Sequence, residues 1–112
     1  MTTKTTTSNQ LVLIDSFMVP EESKSAFLEN TRKVQSFLKT LPGFVEGFFY
    51  EKLNGESSYN IMTTAVLENA EALENARKAI AAENQKSGFN PKDTITKLKV
   101  EGTRAVYNRS PY

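Results

Sequence analysis

The segment FVEGFFYEKL, residues 44–53, limits the folds open to this chain more than any other feature. Its branched and aromatic residues directly follow a Pro-Gly pair, which predicts a β-strand. A strand with one face in water alternates apolar and polar residues, yet both faces of this one receive bulky apolar groups. One predicted face carries Phe44, Glu46, Phe48, Tyr50 and Lys52, and the other carries Val45, Gly47, Phe49, Glu51 and Leu53. Both faces therefore need to be covered.

Two strand–helix–strand halves make up the rest of the pattern. Pro20 suits the first turn of a helix, and Pro42 with Gly43 suits its end. The pair Asn54-Gly55 predicts a tight hairpin turn, because both residues tolerate the left-handed region. The predicted elements are strands at residues 10–19, 44–53, 57–67 and 94–107, and helices at residues 20–41 and 70–86.

The second half repeats the first. Asn69 is a plausible N-cap for the second helix, Gly88 ends that helix, and residues 89–93 are predicted to form a loop. Gly102 predicts a bulge or bend in the last strand. The order β-α-β-β-α-β is typical of an α+β, ferredoxin-like fold, in which a four-stranded antiparallel sheet carries two helices on one face.

Composition excludes several classes of function. The chain has 112 residues and a net charge of +1, with no basic stripe that would favour nucleic acid. It contains no Cys and no His, so no disulfide, thiolate nucleophile or imidazole base is available. The commonest metal ligand is thereby absent, and we expect no metal site. No apolar run approaches the ~18 residues of a membrane span. We expect a polar tail at residues 1–9, a single domain at residues 10–112 and a cytoplasmic location without a membrane partner.

The uncovered sheet face predicts a partner. In this topology both helices cover the same face, and an apolar patch on the other would be a liability for a monomer. The sequence therefore predicts a homodimer whose sheets pack face to face into a barrel-like core. The alternative is a monomer with an apolar surface.

Three segments carry a resemblance to a known family. They are LVLIDSFMVPEE at residues 11–22, FLKTLPGFVEGFFYEKL at 37–53 and YNIMTTAVLENAEALENA at 59–76. On these, residues 11–107 resemble the antibiotic biosynthesis monooxygenase family of dimeric α+β barrels. The resemblance implies a pocket between helices and sheet, and oxidation of a small aromatic or quinol-like compound by dioxygen without metal, flavin or haem.

The sequence departs from that family at two positions. Leu67 stands where relatives often carry Trp, and Arg77 stands near the His that binds haem in haem-degrading relatives. Because the chain has no His, haem degradation by that route is not expected.

Four polar residues are candidates for catalysis: Asn60, Tyr59, Arg77 and Asp15. An amide or phenol could orient a substrate oxygen, Arg77 could stabilise an oxyanion, and Asp15 in an apolar strand could accept a proton. Each has an ordinary structural alternative: a surface amide, a core tyrosine, an exposed arginine or an edge carboxylate. Glu46 is a second possible base, and Arg104 could bind a carboxylate or reach across a dimer.

The predicted aromatic-binding pocket is lined by Phe17, Phe27, Phe37, Tyr50 and Met62. At these spacings the same residues also suit a core or an interface. Three functions stay open at this point: a cofactor-independent oxygenase, a non-catalytic dimer that binds a small aromatic ligand, and an isomerase or decarboxylase of a small metabolite.

Overall fold

Strands and helices alternate in the predicted order, with one additional helix. The computed structural model describes residues 9–108. Its elements are β1 (Leu11–Met18), a 3-10 turn (Glu21–Ser23), α1 (Lys24–Leu38), β2 (Phe44–Glu51), β3 (Ile61–Leu67), α2 (Ala70–Ser87), α3 (Pro91–Leu98) and β4 (Glu101–Asn108). Apart from Asn9, the predicted polar tail lies outside the described residues, as does the chain after residue 108.

The four strands form one open antiparallel sheet in the order β2-β3-β1-β4. One core cluster joins Leu38 of α1 to Leu67 of β3 and Leu73 of α2. Both long helices therefore pack on the same face of the sheet. The predicted α+β, ferredoxin-like class is confirmed.

The second long helix has the predicted ends. The Asn69 side chain accepts a hydrogen bond of 2.8 Å from the backbone N–H of Ala72, and Gly88 ends the helix at a φ of 78°. Such a left-handed C-terminal residue favours glycine. Neither α2 nor any other helix within residues 9–108 is long and apolar enough to cross a membrane.

The prediction for residues 89–100 was wrong. A loop and the start of the last strand were expected there, but residues 91–98 form α3 and β4 begins at Glu101. The β-branched residues from Thr94 to Thr96 favour a strand by local propensity. An N-terminal helix cap outweighs this preference for a strand. The Asn90 side chain accepts hydrogen bonds from the N–H groups of Lys92 and Asp93, and Pro91 lies in the first turn.

The predicted tight hairpin was also wrong, although β2 and β3 do pair. Their ladder closes with a 2.9 Å hydrogen bond from the Lys52 N–H to the Asn60 carbonyl, which leaves residues 53–59 as a longer loop. Gly55 has a φ of 123°, but Asn54 does not adopt positive φ. A two-residue type I′ turn requires positive φ at both central residues.

A bulge changes which side chains of β2 share a face. Phe44 lies opposite Leu67 and Glu46 lies opposite Val66, so Val45 is the additional residue. Phe44 consequently packs into the core under the helices, and not on the face of Phe48 as predicted from simple alternation. Phe48 and Tyr50 lie on the other face, with exposed fractions of 50% and 51%.

The face that no helix covers is rich in apolar groups. Strand register places alternate residues of all four strands on it. Its large apolar members include Val12, Ile14, Phe48, Tyr50, Met62, Val66 and Tyr107. The sheet is thus apolar on both sides, as the sequence predicts, and within residues 9–108 of one chain the helices cover only one side.

Close approach between the turn before β2 and helix α2 requires a glycine. Gly43 has a φ of 85°, and a Cβ atom there would lie 2.5 Å from the Cβ of Ala72. Real Cβ atoms do not approach so closely, so any side chain at this position would push α2 away from the sheet.

We therefore predict that Gly43→Ala destabilises the protein more than Gly88→Ala. Both glycines have a similar positive φ, but a Cβ at Gly88 would meet nothing within 4 Å. Left-handed strain costs about 1 kcal/mol in either variant, and overpacking adds about 1–3 kcal/mol at Gly43 alone. Urea denaturation followed by circular dichroism measures the unfolding free energy of both variants. Equal losses of unfolding free energy would show that α2 does not press on this turn.

Candidate functional site

A cavity of about 690 Å³ lies between the covered face of the sheet and the helices. Strands β1, β3 and β4 form its floor, α1 and α2 form two walls, and residues around α3 form a third. Small-molecule sites in proteins commonly have volumes of about 300–1,000 Å³. The cavity is therefore the candidate functional site.

Most of the cavity wall is apolar and partly aromatic. The rings of Phe17 and Phe27 meet edge to face, with their centroids 4.8 Å apart. Phe89 and Ile95 add apolar surface from the segment around α3. An aromatic ligand suits such walls, because ring edges and faces attract one another beyond the effect of area alone.

One ion pair lies on the cavity floor. Asp15 and Arg104 are direct partners on β1 and β4. Arg104 donates from Nε to Oδ1 and from Nη2 to Oδ2 of Asp15, each at 2.8 Å. The Asp15 side chain is 12% exposed, whereas that of Arg104 is 59% exposed. These hydrogen bonds to Asp15 raise the pKa of Arg104 above its ordinary value, so the guanidinium stays charged.

Two further polar groups reach the cavity from buried positions. Gln35 of α1 donates from Nε2 to the Thr64 carbonyl at 3.0 Å, which ties the helix to β3. This contact depends on Gly47, where a Cβ atom would come within 2.5 Å of the Gln35 Oε1. Thr63 is also buried and faces the cavity from β3. Both can orient a polar atom of a ligand.

Arg77 lines the cavity from α2, as Asp15 does from β1. Its side chain is exposed, and within residues 9–108 it forms no ion pair. Of the predicted catalytic residues, the structure thus brings Asp15 and Arg77 to one cavity. Phe17 and Phe27, predicted to line the pocket, lie there too.

Asn60 has a structural position away from the cavity lining. Its Oδ1 accepts from the Val19 N–H and its Nδ2 donates to the Val19 carbonyl, both at 2.9 Å. The amide therefore substitutes for a backbone pair where β1 ends. Each end of the amide thus has a backbone partner, and Asn60 is not among the residues that line the cavity.

The other predicted site residues also lie outside the lining of this cavity. Tyr59 belongs to the loop before β3, and Phe37 lines a smaller neighbouring cavity of about 420 Å³. Tyr50 and Met62 face each other across β2 and β3 on the uncovered side of the sheet. Glu46 lies on that side as well. The bulge at Val45 and the strand register decide these positions.

Several lining residues were not considered as site residues from the sequence: Gln35, Thr63 and Phe89. Gln35 interrupts the apolar stripe of α1 between Val34 and Leu38, which is a signal for a buried polar group. For Arg104 the sequence left two roles open, binding of a carboxylate or a contact across a dimer. Its pairing with Asp15 could not be predicted, because it depends on strand register across most of the chain.

Within residues 9–108, no three His, Cys, Asp or Glu side chains come together in a group that could hold a metal ion.

Comparisons with known proteins show the fold at low sequence identity. No family model matches the chain, and no curated protein matches it. Among solved structures, a candidate monooxygenase from Shewanella loihica superposes with a TM-score of 0.70 at 18% identity, over 94% of this chain and 98% of that one.

Two further structures are similar over nearly their whole length. SnoaB from Streptomyces nogalater, a cofactor-independent oxygenase, gives a TM-score of 0.67 at 15% identity, over 93% of this chain and 96% of that one. A candidate antibiotic biosynthesis monooxygenase from Nitrosomonas europaea gives 0.65 at 14% identity, over 91% of each chain. The chain therefore has the fold shared by these proteins, as the resemblance in sequence predicts.

We predict that Asn60→Ala lowers stability without weakening ligand binding in the cavity. The substitution leaves the Val19 N–H and carbonyl unpaired, which costs about 1–3 kcal/mol. Urea denaturation measures the loss, and calorimetric titration with a naphthalene ligand measures binding. Asn54→Ala, in the exposed loop, serves as the control and should leave both unchanged. A stable Asn60→Ala protein that no longer binds the ligand would assign Asn60 to the site instead.

Proposed function

We propose that this protein is a cofactor-independent monooxygenase that oxidises a small aromatic or quinol-like compound with dioxygen. The observation that supports this most is the apolar cavity of about 690 Å³ with one carboxylate on its floor. The fold shared with a cofactor-independent oxygenase adds to it, although a fold hosts many chemistries.

The chemistry requires little from the protein beyond deprotonation and exclusion of water. Once an anthrone or hydroquinone has lost a proton, the resulting anion transfers one electron to dioxygen, and the two radicals combine into a peroxide. The peroxide anion takes back the proton and then loses water, so anthrone and one dioxygen give anthraquinone and one water. A naphthohydroquinone and one dioxygen give, by the same steps, a hydroxynaphthoquinone and one water. An apolar cavity keeps bulk water away from this anion.

Asp15 is the proposed proton acceptor. It is the carboxylate among the cavity's lining residues, and the chain has no His that could take this role. Arg104 holds the carboxylate in a fixed orientation through two hydrogen bonds. Arg77 is placed to stabilise the negative charge that develops on the substrate oxygen.

We predict that the protein consumes oxygen when supplied with anthrone or a naphthohydroquinone, and that Asp15→Asn lowers the rate about 100-fold or more, as expected for loss of a general base. An oxygen electrode measures uptake, and circular dichroism confirms that the variant is folded. Glu46→Gln is the matched control, because this carboxylate lies on the opposite face of the sheet. A folded Asp15→Asn protein with an unchanged rate would exclude Asp15 as the base.

A second candidate function is binding without turnover. Both Asp15 oxygens already accept hydrogen bonds from Arg104, which favours a structural role for the pair. Saturable binding of aromatic ligands with no oxygen uptake across a panel of quinols would support this function. An isomerase or decarboxylase would use the same carboxylate and would convert its substrate without consuming oxygen.

We further propose that the protein works as a homodimer through the uncovered face of the sheet. Phe48, Tyr50 and Tyr107 are each about half exposed there, and Met62, opposite Tyr50 on β3, is also exposed. A second copy would bury these side chains against their counterparts. Face-to-face packing of two sheets, about 10 Å apart, is a common way to cover such surfaces.

Phe48→Glu should convert the dimer to a monomer, because burial of a carboxylate in an apolar interface is strongly unfavourable. Sedimentation velocity should give about twice the 12.5 kDa chain mass for the unmodified protein and one chain for the variant. Leu53→Glu is the control: Leu53 is 93% exposed in the loop between β2 and β3. Sedimentation of the unmodified protein as a single chain would contradict the proposal.

A further inference from the structure

The hydrogen-bonding geometry of Arg104 leaves part of its guanidinium available to a ligand. Asp15 occupies the edge formed by Nε and Nη2. The adjacent edge, formed by Nη1 and the second hydrogen of Nη2, has no acceptor among residues 9–108. A guanidinium is a rigid, planar fork, so one carboxylate can fix its orientation while another binds at the neighbouring edge.

The position of Arg104 suits this use. It lines the cavity from β4, and its side chain is more than half exposed while Asp15 beneath it is nearly buried. The buried carboxylate thus anchors the guanidinium from below. An arginine fixed in this way loses less conformational entropy on binding than a flexible one.

The charged residues that line the cavity carry a net positive charge. Its charged lining residues are Asp15, Arg77 and Arg104, which together carry a formal charge of +1. The remaining lining residues are uncharged and mostly apolar. A monoanion would neutralise the cavity, whereas a cation would face two guanidinium groups.

We infer that the cavity takes an aromatic monocarboxylate, with the ring among Phe17, Phe27 and Phe89 and the carboxylate at the outer edge of Arg104. The inference rests on the function proposed above, because it names the substrate class of the same site. It assigns Arg104 as a specificity-determining residue, and Asp15, besides its proposed role as proton acceptor, as the residue that positions Arg104.

Two isosteric probes test this substrate class: 1-naphthoate and its neutral amide, 1-naphthamide. We expect the unmodified protein to bind 1-naphthoate about tenfold or more tightly than 1-naphthamide, as a charge-assisted bidentate contact would give. Isothermal titration calorimetry at fixed pH and ionic strength measures both affinities. Equal affinities, or tighter binding of the amide, would overturn the inference without any variant.

Arg104→Gln removes the fork and should abolish the preference while the affinity for 1-naphthamide is retained, which also shows that the cavity is still formed. Arg32→Gln is the matched control, because Arg32 pairs with Glu29 on the exposed surface of α1. Persistence of the full preference in Arg104→Gln would overturn the role of this residue.

A second measurement covers the case in which Arg104→Gln does not fold. In the unmodified protein labelled with ¹⁵N, 1-naphthoate should shift the Arg104 side-chain resonances and 1-naphthamide should not. Absence of a shift at saturating 1-naphthoate would count against the inference.

Neither binding experiment uses oxygen, so the two proposals fail separately. A preference for the carboxylate without oxygen uptake would refute the oxygenase and keep the substrate class. Oxygen uptake without a preference for the carboxylate would refute the substrate class and keep the oxygenase.

Discussion

Close packing between α2 and the middle of the sheet is the constraint on which the rest of the structure depends. Ala72 and Ala76 of α2 are buried together with Ala65 of β3, so small residues meet where the helix lies nearest the sheet. Gly43 extends this contact to the turn before β2. The cavity lies beside this contact, between α1, α2 and the same face of the sheet.

The apolar residues of the sheet lie on two faces, one covered by the helices and one not. Under the helices they form the core and the cavity walls, where Phe17 and Phe27 lie in edge-to-face contact. On the other face Phe48 and Tyr50 stay half exposed, with ring centroids 6.4 Å apart. A second copy of the chain is the occupant that we propose for this surface. The apolar strand residues thus form the core and the cavity on one side and, in the proposed dimer, an interface on the other.

Much of the architecture could be predicted from local signals, and the candidate site only in part. Asn69 and Gly88 act on backbone groups within a few residues of themselves, so the ends of α2 could be derived directly. Helix α3 could not, because β-branched residues and an Asn-Pro cap give opposite signals over the same short stretch. Asn60 was predicted to meet a ligand, but its amide completes the hydrogen bonding of Val19, a partner far away in sequence.

The sequence by itself determined the order of strands and helices, the two-sided apolar character of the sheet and the lack of histidine and cysteine chemistry. These follow from composition and from periodicity over a few residues. Only the tertiary structure decided which side chains share the cavity. The bulge at Val45 sets which face Phe48 and Tyr50 occupy, and the register of β1 with β4 brings Arg104 to Asp15. Both depend on how the strands pair, and a register shift of one residue would move every side chain of a strand to the other face.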